Sequence, residues 1–167
     1  MEYIPIIYKY YPEDDELRRL LLKHSRQVAD RALLICNRHK ELPVDRQFIE
    51  EAAMLHDIGV FRCHAPSIHC QGTEPYIRHG QIGGELLRAE GFPRHARVAE
   101  RHTGTGLPGW EPETLEEQII CYADKFYSKS GDMKRKSIGE VEKSMERFGR
   151  QNLERFRKLK EEMECNN

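Results

Sequence analysis

Long hydrophobic runs are missing from this chain. Apolar residues make up 38% of its 167 positions, and the most apolar opening stretch, MEYIPIIYKYY, is interrupted by Pro5. Nothing approaches the roughly 20 apolar residues of a membrane span, and no cleavable leader is read at the start. Paired cysteines are missing too. Cys36, Cys63, Cys70, Cys121 and Cys165 are odd in number and scattered, with no CxxC, which argues against a zinc ribbon or a disulfide framework. There is no excess of either charge: the formal net charge of −1 argues against a broad basic surface for duplex nucleic acid, while leaving room for a small anionic substrate. Internal repeats and low-complexity stretches are absent. The expectation is a reduced, soluble, cytoplasmic protein with no membrane partner; its oligomeric state is left open.

What is present is charge and helical period. Charged residues reach 33%, which suits helices with solvated outer faces, and the length suits a single domain. Any strand is expected only in the first eleven residues, and the fold class read here is all-α. Residues 13–40 read as one or two helices, with Val28, Ala32 and Ile35 on one stripe, and 45–57 resume the pattern after Pro43. The stretch 60–78, with Pro66, Gly72 and Pro75, reads as a long loop, and such loops are usually functional or disordered. Further helices are expected near 80–90, 93–102 and 114–128. Ser137-Ile138-Gly139-Glu140 has the form of a capping box and opens an amphipathic segment expected to pack on the bundle, with a partner-binding helix as its rival. The division expected is an extension over 1–12, a main domain over 13–128, and C-terminal helices over 129–167 on the same domain.

Five polar stations fall on the apolar stripes of five different helices. His24 precedes Val28; His56 follows Ile49, Ala52 and Ala53; His79 precedes Ile82 and Leu86; His102 follows Val98 and Ala99; Asp124 follows Ile120. Residues three, four and seven apart share a helix face, so each station should turn inward. Inward imidazoles and carboxylates are costly unless paired or metal-bound, and one metal site satisfies all of them. Asp57 adds a sixth ligand: neighbours point about 100° apart in mid-helix, so His56 and Asp57 converge only at a helix end, for which Gly59 is well placed. Taken singly, each inward His is more often a satisfied core residue; the conjunction shifts the balance. His39 and His95 read as structural, and His64 and His69 fall in the long loop.

The ordered set His24-Ser25, His56-Asp57-Ile58-Gly59, His79-Gly80, His102-Thr103 and Ala123-Asp124-Lys125 resembles the HD superfamily of metal-dependent phosphohydrolases, HDIG subgroup, over roughly residues 20 to 128. It is similar to members that hold two metals, including the YqeK-like dinucleoside tetraphosphate hydrolases, and AERHTGTGL and PETLEEQII resemble a small HDIG family. Relatives often carry Lys or Arg directly after HDIG, where this chain has Val60, and Arg62 is expected to substitute. The run Arg101 to Pro108 lacks the second His, acidic residues and Tyr of the HD-GYP signature, so that subgroup is rejected.

The resemblance implies a helical HD-domain bundle whose metal ligands are His24, His56, Asp57, His79, His102 and Asp124. His24, His56, Asp57 and Asp124 would hold one ion, and Asp57 would bridge to a second at His79 and His102. The donor set favours Fe, Mn or Zn over Mg. The activity implied is cleavage of a phosphoester or phosphoanhydride, nucleotides included, by a metal-activated hydroxide, with Asp57, Lys125 and Arg62 as catalytic residues. Arg78 and Arg101 are further candidate cations, and the glycines Gly104, Gly106 and Gly109 are read as a mobile cover or a plain connector. The rivals are a non-catalytic metal- or nucleotide-binding module and a di-iron oxygenase.

Overall fold

The computed structural model describes residues 1–104 and 108–164. Among these, eight α-helices follow one another: α1 Tyr3–Tyr10, α2 Glu16–Arg38, α3 Arg46–Leu55, α4 His79–Ala89, α5 Pro93–Arg101, α6 Leu115–Asp124, α7 Ile138–Glu146 and α8 Arg150–Glu164. The fold is all-α. None of these helices is long and apolar enough to cross a membrane.

Local chemistry starts the helices. Asp15 and Asp45 accept backbone N–H bonds from Arg18 (2.9 Å) and Phe48 (3.0 Å), which satisfies first-turn donors of α2 and α3. Pro93 opens α5, where its missing N–H costs nothing. Complete capping boxes begin α6 (Thr114, Glu117) and α7 (Ser137, Glu140). The Glu117 carboxylate is buried because it also takes Arg97 Nε at 2.8 Å.

Two expectations are corrected. The segment to which any strand was confined holds a helix, Tyr3–Tyr10, which buries Ile6 and Ile7, with Tyr11 buried just past its end. Tyr11 then donates its hydroxyl to the Ile58 carbonyl oxygen at 2.9 Å, so the segment read as an extension packs against the turn that carries Asp57. The strands lie instead within the long loop, where β1 His64–Ala65 pairs antiparallel with β2 Cys70–Gln71. Three short 3-10 turns, Val60–Arg62, Pro66–Ile68 and Tyr76–Arg78, build the rest of that loop around buried Cys63, Ile68 and Cys70. Two-residue strands carry no period that a sequence could reveal.

The C-terminal helices lie on the bundle through their apolar stripe: Val141, Met145, Leu153, Phe156, Leu159 and Met163 are all buried. Phe156 stacks on Tyr122 at 5.4 Å between centroids. Arg31 of α2, buried over the Phe126 ring, pairs with Glu164, which also accepts the Tyr122 hydroxyl at 2.8 Å. A cation this deep is tolerable because a carboxylate meets it. Glycine sets the spacing at the other end of the core. A Cβ on Gly80 would strike the Ala99 carbonyl oxygen of α5, so only glycine lets α4 lie this close to α5.

Candidate metal centre

Five elements deliver six side chains to one point. His24 sits mid-way along α2, His56 and Asp57 in the turn after α3, His79 at the first position of α4, His102 just past α5, and Asp124 at the last position of α6. Asp57 is the hub, with both oxygens buried. Its Oδ2 lies 3.2 Å from His24 Nε2 and 3.2 Å from His56 Nε2, and its Oδ1 lies 3.3 Å from each of His79 Nε2 and His102 Nε2. Asp124 Oδ1 completes the first half, 3.0 Å from His24 Nε2 and 3.5 Å from His56 Nε2. His79 and His102 Nε2 stand 3.1 Å apart. The trios His24–His56–Asp57 and Asp57–His79–His102 each keep their ligand atoms within 4.8 Å of one another; so does His56–His102–Asp124, which joins the two halves.

Protons decide what these contacts mean. The Nδ1 atoms of His56, His79 and His102 face the carbonyl oxygens of Ala53, Tyr76 and Ala99 at 2.6, 2.6 and 2.7 Å, each three residues back. A carbonyl only accepts, so each Nδ1 carries a proton, and a ring without a second proton turns a bare Nε2 lone pair inward. Those lone pairs meet carboxylate oxygens and one another, acceptor against acceptor. His56 Nε2 and Asp57 Oδ1 have no hydrogen-bond partner, and beside Asp57 Oδ2 stands the Lys129 ammonium, with Nζ at 2.6 Å. A second proton on every ring would relieve this only by crowding imidazolium ions together. Burial opposes charge on His56, yet Asp57 and Asp124 override it and raise this imidazole to about 10. Burial pushes His102 the other way, to about 4, despite Asp57. For Asp57 burial is likewise opposed, and the charges of His56 and Lys129 hold its carboxyl well below the usual range. Converging lone pairs of four imidazoles and two carboxylates are a donor set that fits divalent cations, and the backbone carbonyls behind the rings are the outer contacts that fix ligand tautomers.

The turn that carries Asp57 is shaped differently from the expectation. Gly59 has φ −85°, an ordinary right-handed value, so it does not end α3 by a left-handed cap. Glycine is required there because a Cβ would run into the His79 carbonyl oxygen and the Gly83 nitrogen of α4. It is a spacer that lets Asp57 meet His79.

An open cleft of about 520 Å³ reaches the cluster at His79, His102 and Asp124; Lys125, Lys129 and Lys136 are among its walls. Lys125 Nζ donates to the His102 carbonyl oxygen at 3.2 Å and stands 3.7 Å from Asp124 Oδ2. Arg62 does not reach the cleft. The 3-10 turn 60–62 buries Val60 and leaves Arg62 exposed, with its guanidinium 5.7 Å from the Phe61 ring. Arg78 is exposed and paired with Glu74 at 2.9 Å, and Arg101 is tied to the Glu111 carbonyl oxygen at 2.6 Å. The cation that sequence reasoning missed is Lys129, whose Nζ lies 2.6 Å from Asp57 Oδ2. Proximity in sequence does not separate it from Lys125, since both follow Asp124 within five residues. Of the glycine-rich connector, Gly104 and Gly109 have positive φ, and Gly106 lies outside the described residues, as does Cys165. His64 is exposed on β1.

Comparison with known proteins gives the family. Residues 21–128 match the family model described as HD domain. An uncharacterised protein of Methanocaldococcus jannaschii is 32% identical over 142 residues, covering 76% of each chain. Two proteins named tRNA (cytidine(56)-2'-O)-methyltransferase are also similar. That of Picrophilus torridus is 27% identical and that of Thermoplasma volcanium 29%, each over 93% of this chain. The chain spans less than half of those two proteins, 47% and 44% of their lengths. No solved structure gave a match. With the matched segment running from before His24 to beyond Asp124, this chain belongs to the HD domain family.

Proposed function

We propose that the chain is a metal-dependent phosphohydrolase that cleaves a phosphoester or phosphoanhydride with two divalent transition-metal ions. The observation that carries this reading is the convergence of four imidazole nitrogens on Asp57, which splits its two oxygens between one pair of imidazoles and another. Four imidazoles and two carboxylates favour Fe, Mn or Zn over Mg. Bound there, such ions would lower the pKa of water and draw charge from phosphoryl oxygens. The chain's own part is positioning. Asp57 offers one oxygen to each half, and the carbonyls of Ala53, Tyr76 and Ala99 hold three rings in one tautomer. Lys125 and Lys136 give the cleft positive charge where the equatorial oxygens of a phosphoryl group need it. Arg62 has no part in this arrangement.

Metal analysis of protein purified without chelators, followed by a phosphoester and phosphoanhydride panel with Mn²⁺ or Fe²⁺, tests the proposal. The expected result is about two metal equivalents and phosphate release from at least one class. Two equivalents without turnover across the panel would favour a binding module. A mixed-valence iron signal with oxygen uptake would favour an oxygenase.

The two relatives named as tRNA methyltransferases favour a narrower version, in which the substrate phosphate belongs to RNA. Their names describe a tRNA-modifying activity, and the region shared with this chain is less than half of each. RNA oligonucleotides with terminal phosphates therefore belong in the panel, beside mononucleotides and dinucleoside polyphosphates. Preference for the mononucleotides would count against this version.

A further inference from the structure

The cluster already contains one cation, supplied by the chain itself. Lys129 lies in the connection between α6 and α7, and its side chain is only 11% exposed. Its Nζ stands 2.6 Å from Asp57 Oδ2 and 3.5 Å from His24 Nε2, with the Tyr76 ring centroid at 6.0 Å. Asp57 Oδ2 is also the oxygen that lies 3.2 Å from both His24 Nε2 and His56 Nε2. An ammonium and a divalent ion therefore compete for one oxygen. In a buried site their repulsion is strong, because charge acts at close range through little solvent.

The ammonium has somewhere else to go. Lys129 also lines the cleft, beside Lys125, Ser128, Ser130 and Lys136. Its four-carbon stem can carry Nζ from the floor of the cleft toward its mouth by rotamer changes alone. We propose that Lys129 is the internal counter-ion of the metal-free site, displaced when a divalent ion binds, and that the displaced ammonium then becomes an anion ligand of the cleft. Metal and anion are thereby coupled through one side chain. The ion weakens the Lys129–Asp57 pair, and the freed charge strengthens binding of a phosphate. The proposal rests on the divalent-metal reading above, and its test separates the two.

Calorimetric titration of chelator-stripped protein with Mn²⁺, and of Mn²⁺-loaded protein with inorganic phosphate, provides the measurement. Lys129→Met is expected to bind Mn²⁺ at least tenfold tighter than wild type and phosphate at least tenfold more weakly. A lysine with a merely structural role would leave Mn²⁺ binding equal or weaker when removed, and that result overturns the proposal. Unchanged phosphate binding overturns it as well. Lys134→Met, at a position whose side chain is 81% exposed and which lies outside the cleft lining, should change neither affinity.

A readout in wild type keeps the test independent of how the variant folds. Acylation of Lys129 by an amine reagent, followed by mass spectrometry, should speed up severalfold on Mn²⁺ addition and slow again with phosphate. Equal reactivity with and without Mn²⁺ overturns displacement. If neither protein binds a divalent ion, the metal reading fails and this proposal with it. If wild type binds Mn²⁺ and Lys129→Met gains nothing, only this proposal fails.

Discussion

Six histidines are buried in this protein, and they fall into two groups that burial alone does not distinguish. His39 and His95 are structural. His39 places Nε2 3.1 Å from the Met163 carbonyl oxygen and Nδ1 3.3 Å from Glu41, pinning the end of α2 to α8. His95 meets Glu51 at 3.3 Å and sits edge-on between Phe48 and Phe92. Each has partners whose needs complement its own. The rings of His24, His56, His79 and His102 are buried as deeply, but their inward nitrogens meet acceptors or one another. The difference lies in whether the lone pairs of neighbouring groups oppose. Opposed lone pairs in a closed site call for a cation, whereas complementary ones call for nothing further.

Substitutions should separate the two groups, and the largest effect is expected at the hub. On the proposed function, Asp57→Ala should abolish binding of both metal equivalents and lower phosphate release by roughly 10²–10³-fold or more, the range seen when one preorganised electrostatic group is lost. Elemental analysis alongside kinetics checks this, and retention of one equivalent would show that Asp57 does not bridge. His79→Ala comes next. It should remove one equivalent and most activity, while circular dichroism shows the helical fold intact. Loss of both equivalents would mean that the two halves fill only together.

Acidity offers a smaller, graded effect. In the metal-free site His56 is raised to about 10 by Asp57 and Asp124 against the pull of burial, so at neutral pH it carries a second proton. A ligand nitrogen must be bare, so metal binding releases that proton. Affinity should therefore rise with pH, by up to about tenfold per unit for one proton, until the pH passes about 10. Calorimetry in buffers of different ionisation enthalpy measures the release, and a pH-independent affinity would show that His56 is already neutral.

The structural group should give the smallest effect and leave metal content untouched. His95→Phe leaves Glu51 short of a partner and is expected to lower stability by about 1–3 kcal/mol, read from denaturant unfolding. Burial lowers the pKa of His95 from its ordinary 6.5, with Glu51 opposing. The folded state therefore binds fewer protons there than the unfolded state. This contribution to stability is complete above 6.5 and falls away as the pH drops through that value. The acid-side loss should diminish in His95→Phe. A change in metal content in this variant would erase the distinction between the groups.

Much of the site was legible because helix geometry turns spacing into direction. His24 with Val28, or His102 with Val98 and Ala99, declares its face from sequence alone. His39, near the C-terminus of a helix, and His95, between Arg94 and Arg97, read as structural from their immediate neighbours, and each finds a complementary partner in the structure. The loop 60–78 was less legible: its strands are two residues long, and its 3-10 turns leave no period. The opening helix was not legible because Tyr and Ile favour strands, while burial of the adjacent Ile6 and Ile7, with Tyr11 just beyond the helix end, makes a helix the better packing.

The sequence by itself determined the helical class, the inward faces and the set of six candidate ligands, because those depend on neighbours within a turn or two of the chain. Only the tertiary structure decided which cations reach the cluster. Arg62 and Lys129 each stand five residues from a proposed ligand, yet one turns out beside Phe61 and the other reaches Asp57 at 2.6 Å. A long side chain after a helix end has no period to fix its direction. Where it lands is settled by the elements packed around it.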